Sequence, residues 1–222
     1  MMDKIKYYSQ KKVAETYLDE RYSGKSGSYI NKRELSAVKS ILPSKGSVLD
    51  VACGVGRLSV LFQSPNYMVT GLDSSKEMLK KCPYKSKKIG NALKLPFKDN
   101  SFDLLITTRF LHHYENPEIF LKEFKRVIKQ GGSIIFETYR WSLKKYYFNR
   151  NKGGKIYIHQ DKKINKILNN LNLQLKSKKS TLLFSPFIYK HLPYFMIEPL
   201  NSIEKYISNR LRYSVFWRVV KE

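Results

Sequence analysis

Cysteine is nearly absent: Cys53 and Cys82 are the only two among 222 residues. Two thiols exclude a disulfide framework and a four-cysteine metal site, and they fit a reducing compartment. Long apolar runs are missing as well. No uncharged stretch approaches the ~18 residues that a membrane span needs. No apolar run follows the first lysines, so no signal peptide is expected. Internal repeats and low-complexity linkers are absent too. The expectation is a soluble cytoplasmic protein, a single domain over 1–222, long enough to bury a core without staples.

Acids are scarce: 18 Asp and Glu stand against 42 Lys and Arg, a net charge of +24. The imbalance is densest late in the chain. From Arg140 to Glu222 there are 18 basic and 4 acidic residues, a net of +14; the first 139 residues hold 24 and 14, a net of +10. Such a field attracts nucleic acid, an anionic membrane or acidic metabolites. A solvated lysine-rich surface gives the same count, and no nucleic-acid-binding motif decides between the readings.

Residues 1–46 are polar with apolar positions at helical spacing, and Pro43, Ser44 and Gly46 end them. From Ser47 the pattern alternates between strands and helices. "SVLDVA" reads as a strand, with a helix from about Arg57. "YMVTGLD" is a strand and "SSKEMLKKC" a helix capped by Ser74 or Ser75. "SKKIG" and "SFDLLITT" are strands, and "NPEIFLKEFKRVIK" is a helix ended by Gly131 and Gly132, before the strand "SIIFETY". Such alternation implies a parallel sheet with right-handed crossovers. Later, "KKINKILNNL" reads as a helix, "LQLKSKK" and "YSVFWRVVK" as strands, and "NSIEKYISNRL" as an amphipathic helix with Ile203, Tyr206 and Ile207 on one face.

Ligands of open parallel sheets sit beyond the C-terminal strand ends, where strand order reverses. "VLDVACGVGRLSV" (48–60) places Gly54 and Gly56 at such an end, and Asp73 closes the next strand 19 residues after Gly54. A carboxylate there can accept from both hydroxyls of a ribose, so an adenosine-containing cofactor is expected. The nicotinamide fingerprint G-x-G-x-x-G fits poorly, because Ser59 stands at its third glycine.

Taken together, "LDVACGVGRL", "GLDSSKEML" and "GNALKLPFKDNSFDLLITTRFLHHYENPEIFLKEFKRVIKQGGSIIFET" resemble the class I S-adenosylmethionine-dependent methyltransferases. The likeness spans about Ser47 to Thr138 and is greatest to the small-molecule branch that includes the quinone-biosynthesis enzymes. It implies a Rossmann-like α/β fold: a seven-stranded, mostly parallel sheet with helices on both faces. It further implies an N-terminal helical lid (1–46), a cofactor-binding core (47–139), and a substrate-side loop, helical insertion and last strands (140–222). The cofactor implied is S-adenosylmethionine, with S-adenosylhomocysteine as product.

Carried over by position, the acidic-glycine motif falls on Asp50, Ala52, Gly54 and Gly56, with Ala52 where a glycine is usual. Cys53 inside the turn and Ser74 beside the acid join the expected contacts. The ribose acid falls on Asp73, and Met78 falls where the adenine is packed. Asn91 replaces the acid that accepts from the adenine amino group, a task its carbonyl oxygen can share. The amides of Ala92 and Leu93 are expected on the ring nitrogens, and Thr108 near the methionine portion. Tyr17, Tyr22 and Arg21 lie in a segment like the family's entry helix, within reach of the donor's carboxylate. His112 and His113, just after the site strand, are the candidate general bases if the acceptor must lose a proton. Asp103 and the isolated His159 and His191 read as structural.

For the acceptor, the segment after "SIIFETY" interleaves Arg140, Lys144, Lys145, Arg150, Lys152 and Lys155 with aromatic residues. That suits stacked bases with phosphates or an anionic lipid surface. The nearly uncharged stretch from Thr181 to Leu211 suits an apolar pocket, a bilayer-dipping lid or plain core packing. A small-molecule or lipid-like acceptor is the first expectation and RNA, as tRNA, the second. A catalytically silent scaffold and a nicotinamide oxidoreductase follow.

Overall fold

A computed structural model describes residues 2–141, 155–204 and 206–222. Three helices lead the chain: α1 (Met2–Tyr8), α2 (Lys11–Tyr22) and α3 (Gly24–Lys39). β1 (Gly46–Val51), β2 (Tyr67–Asp73), α4 (Lys76–Lys81), β3 (Ser86–Ile89), β4 (Phe102–Thr107), α5 (Glu118–Val127) and β5 (Ile128–Tyr139) follow. The chain continues as α6 (Asp161–Asn170), β6 (Leu173–Thr181), α7 (Pro186–His191), α8 (Tyr194–Glu204) and β7 (Ser214–Lys221).

The seven strands form one sheet in the order β3-β2-β1-β4-β5-β7-β6. β1 to β5 pair in parallel, and β7 runs antiparallel to both β5 and β6. Strand order therefore reverses between β1 and β4, where a crevice opens at the C-terminal ends.

Both faces are covered, and the period-2 alternation of the strands explains how. Leu49, Val51, Leu105, Ile134, Phe136 and Trp217 turn to one side, against Phe120, Leu121 and Phe124 of α5 and Ile164, Ile167 and Leu168 of α6. Val48, Leu104, Ile106, Ile135 and Phe216 turn to the other, against Ala37 and Val38 of α3 and Leu79 of α4. α7 and α8 close a third cluster, in which Tyr189 and Ile197 pack with Tyr22, Ile30, Tyr139 and Tyr213.

Three local expectations are corrected. The chain after Gly56 makes only a 3-10 turn, Arg57–Leu61, and Pro65, which disfavours helical backbone at Ser64, limits any extension of it. Gly131 and Gly132 do not end α5; the helix stops at Val127 and both glycines lie inside β5. They let β5 fold back where its register against β4 jumps from Ile128 opposite Phe102 to Ser133 opposite Leu104, Gly131 taking φ +72°. The amphipathic helix expected over 201–211 is absent. α8 ends at Glu204, and Ser208 Oγ accepts from Arg210 N to start a separate 3-10 turn, Asn209–Leu211. Ile203 and Tyr206 consequently face solvent.

Candidate functional site

The turn after β1 is built from left-handed residues: φ is +55° at Ala52, +55° at Gly54 and +74° at Gly56. The two glycines serve different ends. A Cβ on Gly54 would meet nothing within 4 Å, so this residue opens onto free space. A Cβ on Gly56 would lie 2.6 Å from Pro83 Cδ and 2.7 Å from Cys82 Sγ, so its bare backbone is required by packing against the end of α4.

Asp73, at the end of β2, closes the turn. Its Oδ2 accepts from Gly54 N at 2.7 Å and its Oδ1 from Ser75 N at 2.8 Å. These donors do not use up the carboxylate's four lone pairs, so it can still accept from a further donor. Burial pushes this carboxyl above the ordinary carboxylate range, opposed by backbone N–H groups of Ser75, Gly54 and Ser74. Ser75 caps α4 by accepting from Met78 N, and its own hydroxyl donates to the Tyr8 carbonyl at 2.8 Å, fastening α1 over the turn.

Above lies a continuous cleft with two lobes. Ala52, Gly54, Asp73, Ser74, Met78, Thr108, Arg109 and His113 line the larger, with Tyr8 and Tyr17 from the N-terminal helices. It encloses about 620 Å³, part of it open to solvent. The smaller lobe shares Ala52, Asp73, Ser74, Phe110 and Tyr114 and adds Gly90, Asn91 and Ala92. One end thus holds Arg109 and His113 among aromatic walls, and the other is a slot floored by the loop after β3.

A buried ionic cluster supports the larger lobe. Glu34 of α3 pairs with Arg109 (Nη2 to Oε1, 2.6 Å) and Arg57 (Nη1 to Oε2, 3.0 Å). Burial alone would raise the Glu34 carboxyl, but the guanidiniums of Arg109 and Arg57 outweigh it and hold the pKa below the usual value. Arg57 Nη2 also donates to Thr108 Oγ1 at 3.3 Å. Arg109 holds φ +54° at the cleft wall, its N–H donating to Glu137 Oε2. Left-handed backbone at a non-glycine residue is strain that the surrounding bonds must hold.

Several expected residues lie elsewhere. Asp50 sits beneath the turn, buried, accepting from the Tyr84 hydroxyl at 2.8 Å. Cys53 is buried against Cys82, both as free thiols. Tyr22 lies under the cleft, its ring 5.1 Å from the Arg57 and 4.9 Å from the Arg109 guanidinium carbon. Arg21 donates to the Tyr8 hydroxyl at 3.1 Å and stacks on Tyr17. The Leu93 amide already donates to Asn91 Oδ1, in a local turn that leaves Leu93 outside both lobes. His112 is buried and stacked on Tyr139, whereas His113 faces the larger lobe. Asp103 accepts from Ser47 and Lys129, which accounts for it structurally.

On the acceptor side, Arg140 is no free cation. It is half-enclosed and forked onto Asp161, at 3.0 and 2.8 Å, with further bonds to Ser180 and Asn209. Lys155 lies over the Tyr157 ring. Lys144, Lys145, Arg150 and Lys152 lie outside the described residues. Among the described residues, no helix is long and apolar enough to cross a membrane, and no group of three or more His, Cys, Asp or Glu could hold a metal ion.

Sequence reading overlooked Tyr8, Arg109, Tyr114 and Glu34. Only Glu34 left a signal: it falls on the apolar stripe of its helix, with Ile30, Ala37 and Val38.

Comparison with known proteins agrees with this geometry. Residues 49–136 match the family model described as a methyltransferase domain. An uncharacterised protein of Methanocaldococcus jannaschii is 40% identical over 108 residues, covering 48% of this chain and 50% of that protein. The demethylmenaquinone methyltransferase of Thermotoga maritima is 32% identical over 129 residues, covering 53% and 56%. The chain thus spans about half the length of the curated relatives it matches. Among solved structures, a methyltransferase of Thermotoga maritima described as a possible histamine N-methyltransferase superposes with a TM-score of 0.68 at 20% identity, over 98% of this chain and 99% of the other. That identity speaks for the fold alone. By sequence the chain is thus similar to methyltransferases across residues 49–136, and it shares its fold with a solved methyltransferase over nearly its whole length.

Proposed function

We propose that this chain transfers a methyl group from S-adenosylmethionine to a small-molecule or lipid-like acceptor. The observation that carries the reading is the pairing of Gly54 with Asp73: an open backbone position beside a carboxylate that lines the cleft. The residues fit the donor. Asp73 accepts from the ribose hydroxyls, Asn91 and Ala92 floor the adenine slot, and Met78 lines the larger lobe beside it. Thr108 meets the methionine portion.

When bound, the donor supplies a methyl group on a sulfonium, open to in-line displacement by a nucleophile. The chain's own task is alignment and exclusion of water. α1 and α2 act as the lid, with Tyr8 and Tyr17 over the cleft and the Ser75–Tyr8 bond as its fastening. His113 is the side chain placed to take a proton from the acceptor, and Arg109 sets the polarity of the same wall. The aromatic walls, Tyr8, Tyr17, Phe110 and Tyr114, favour an acceptor with an apolar or aromatic portion. The demethylmenaquinone methyltransferase relatives support a small molecule of that kind.

The test is an extract assay with donor labelled in its methyl group, sorted into lipid, RNA, protein and small-molecule fractions. Enzyme-dependent label in the lipid or small-molecule fraction is expected. Label confined to RNA would replace the acceptor class, and label nowhere would overturn the reading.

A further inference from the structure

The outer side of α8 and its neighbours is unusually apolar for a surface. By helical spacing Phe195, Met196, Pro199 and Ile203 fall on one side of α8, opposite the buried Ile197. Phe195 is 76% exposed, Tyr206 82% and Leu211 62%; Phe187, Met196 and Ile203 are also exposed. Scattered exposed apolar residues need no explanation, but a grouped set marks an interaction surface.

Cations fringe this face. Lys25 lies over the Tyr194 ring, and Arg210 stands exposed between Tyr206 and Leu211. The neighbouring edge strand β6 presents Lys176 and Lys179 to solvent. α8 itself carries two acids, Glu198 and Glu204, and no base, so the positive charge of this face is supplied by its neighbours.

We propose that the α7–α8 face docks on an anionic lipid bilayer, its aromatic and aliphatic side chains entering the headgroup boundary while the lysine and arginine fringe binds the lipid phosphates. Aromatic residues with an aliphatic core and a basic border are the composition of an interfacial anchor. A second copy of the chain is disfavoured as occupant, because it would bring the same +24 against the same fringe. RNA is disfavoured because Met196, Ile203 and Leu211 offer neither a stacking plane nor a hydrogen bond. α7 and α8 pack on α3 and beside Tyr139 and Tyr213, at the end of the sheet where the cleft opens. Docking therefore turns the cleft end of the molecule toward the bilayer. The inference is independent of which acceptor is methylated.

The experiment is co-sedimentation of the full chain with phosphatidylcholine vesicles, with and without phosphatidylglycerol, at low and high salt. Binding is expected only to the anionic vesicles and weakened by salt. Phe195→Ser with Ile203→Ser should lower it by about tenfold or more, and Lys176→Gln with Lys179→Gln by a fewfold with a flatter salt dependence. Phe195→Trp should retain it. Affinity for S-adenosylhomocysteine, read in parallel, should be unchanged in every variant, which separates lost docking from lost folding. No binding to anionic vesicles, or binding indifferent to Phe195 and Ile203, would overturn the proposal. So would tRNA binding or a dimer that the serine double variant abolishes while vesicle binding is absent.

Discussion

Asp73 Oδ2 accepts the amide hydrogen of Gly54 at 2.7 Å, joining the ends of two adjacent parallel strands, β1 and β2, beside the crevice. This one bond fixes the glycine turn and the acid to each other before any ligand arrives. Preorganised geometry of this kind costs no rearrangement on binding. The same carboxylate lines both lobes of the cleft.

Because the two glycines of the turn differ in surroundings, their alanine variants should fail differently. Gly56→Ala forces a Cβ against Pro83 and Cys82 in left-handed backbone and should cost about 2–4 kcal/mol of stability. Gly54→Ala places its methyl in open space, costing only about 1–2 kcal/mol, yet it narrows the donor's approach. Chemical unfolding and S-adenosylhomocysteine titration of both variants check this: a stability defect at Gly56 and an affinity defect at Gly54.

Ala52 already holds φ +55° without being glycine. Ala52→Gly removes about 1–2 kcal/mol of left-handed strain and adds about 0.4–1 kcal/mol of unfolded-state entropy. A net gain of roughly 0.5–1 kcal/mol in urea unfolding is expected.

Asp50 gives a pH signature. Burial pushes its carboxyl up to about 8, only partly opposed by the Tyr84 hydroxyl. The folded chain therefore holds a proton that the unfolded chain, at an ordinary value near 4, has released. Between about pH 4 and 8 this group makes stability fall as pH rises, by up to roughly 1.4 kcal/mol per unit. Asp50→Asn keeps an acceptor for Tyr84 and loses the proton exchange. Its stability relative to the unsubstituted chain should rise steadily from pH 5 to 7 in urea titrations, and a constant difference would contradict the assignment.

The histidines should separate stability from turnover. His112 is buried against Tyr139, so His112→Ala should lower stability by about 1–3 kcal/mol. His113 lines the cleft, and His113→Ala should lower turnover by about a hundredfold or more if the acceptor loses a proton to it. Rates measured where both variants remain folded make the comparison.

The core strands were readable from the sequence because each pattern of alternating apolar residues needs only local information. Val48 and Leu49, or Ile134 and Ile135, point to opposite faces wherever the sheet lies. The place of Asp73 beside the glycine turn was readable because strand-end position and spacing fix it. Gly54 and Gly56 were not distinguishable, since what separates them is a neighbour some 26 residues away, Cys82 or Pro83. The Glu34–Arg57–Arg109 cluster joins three segments that only the folded chain brings together. Arg140 looked like a free cation for the same reason: its partner Asp161 arrives from another element. Gly131 and Gly132 fit a helix stop in sequence, but tertiary pairing of Ile128 with Phe102 claimed that segment for β5.

The most direct measurement is calorimetric titration of the chain, and of Asp73→Ala, with S-adenosylhomocysteine and with NAD. The unsubstituted chain should bind S-adenosylhomocysteine at one site and ignore NAD. Asp73→Ala, checked as folded, should bind more weakly by roughly 1.5–3 kcal/mol, having lost charge-assisted bonds to the ribose. Equal affinity of the two proteins, or no heat of binding from a folded chain, would contradict the account.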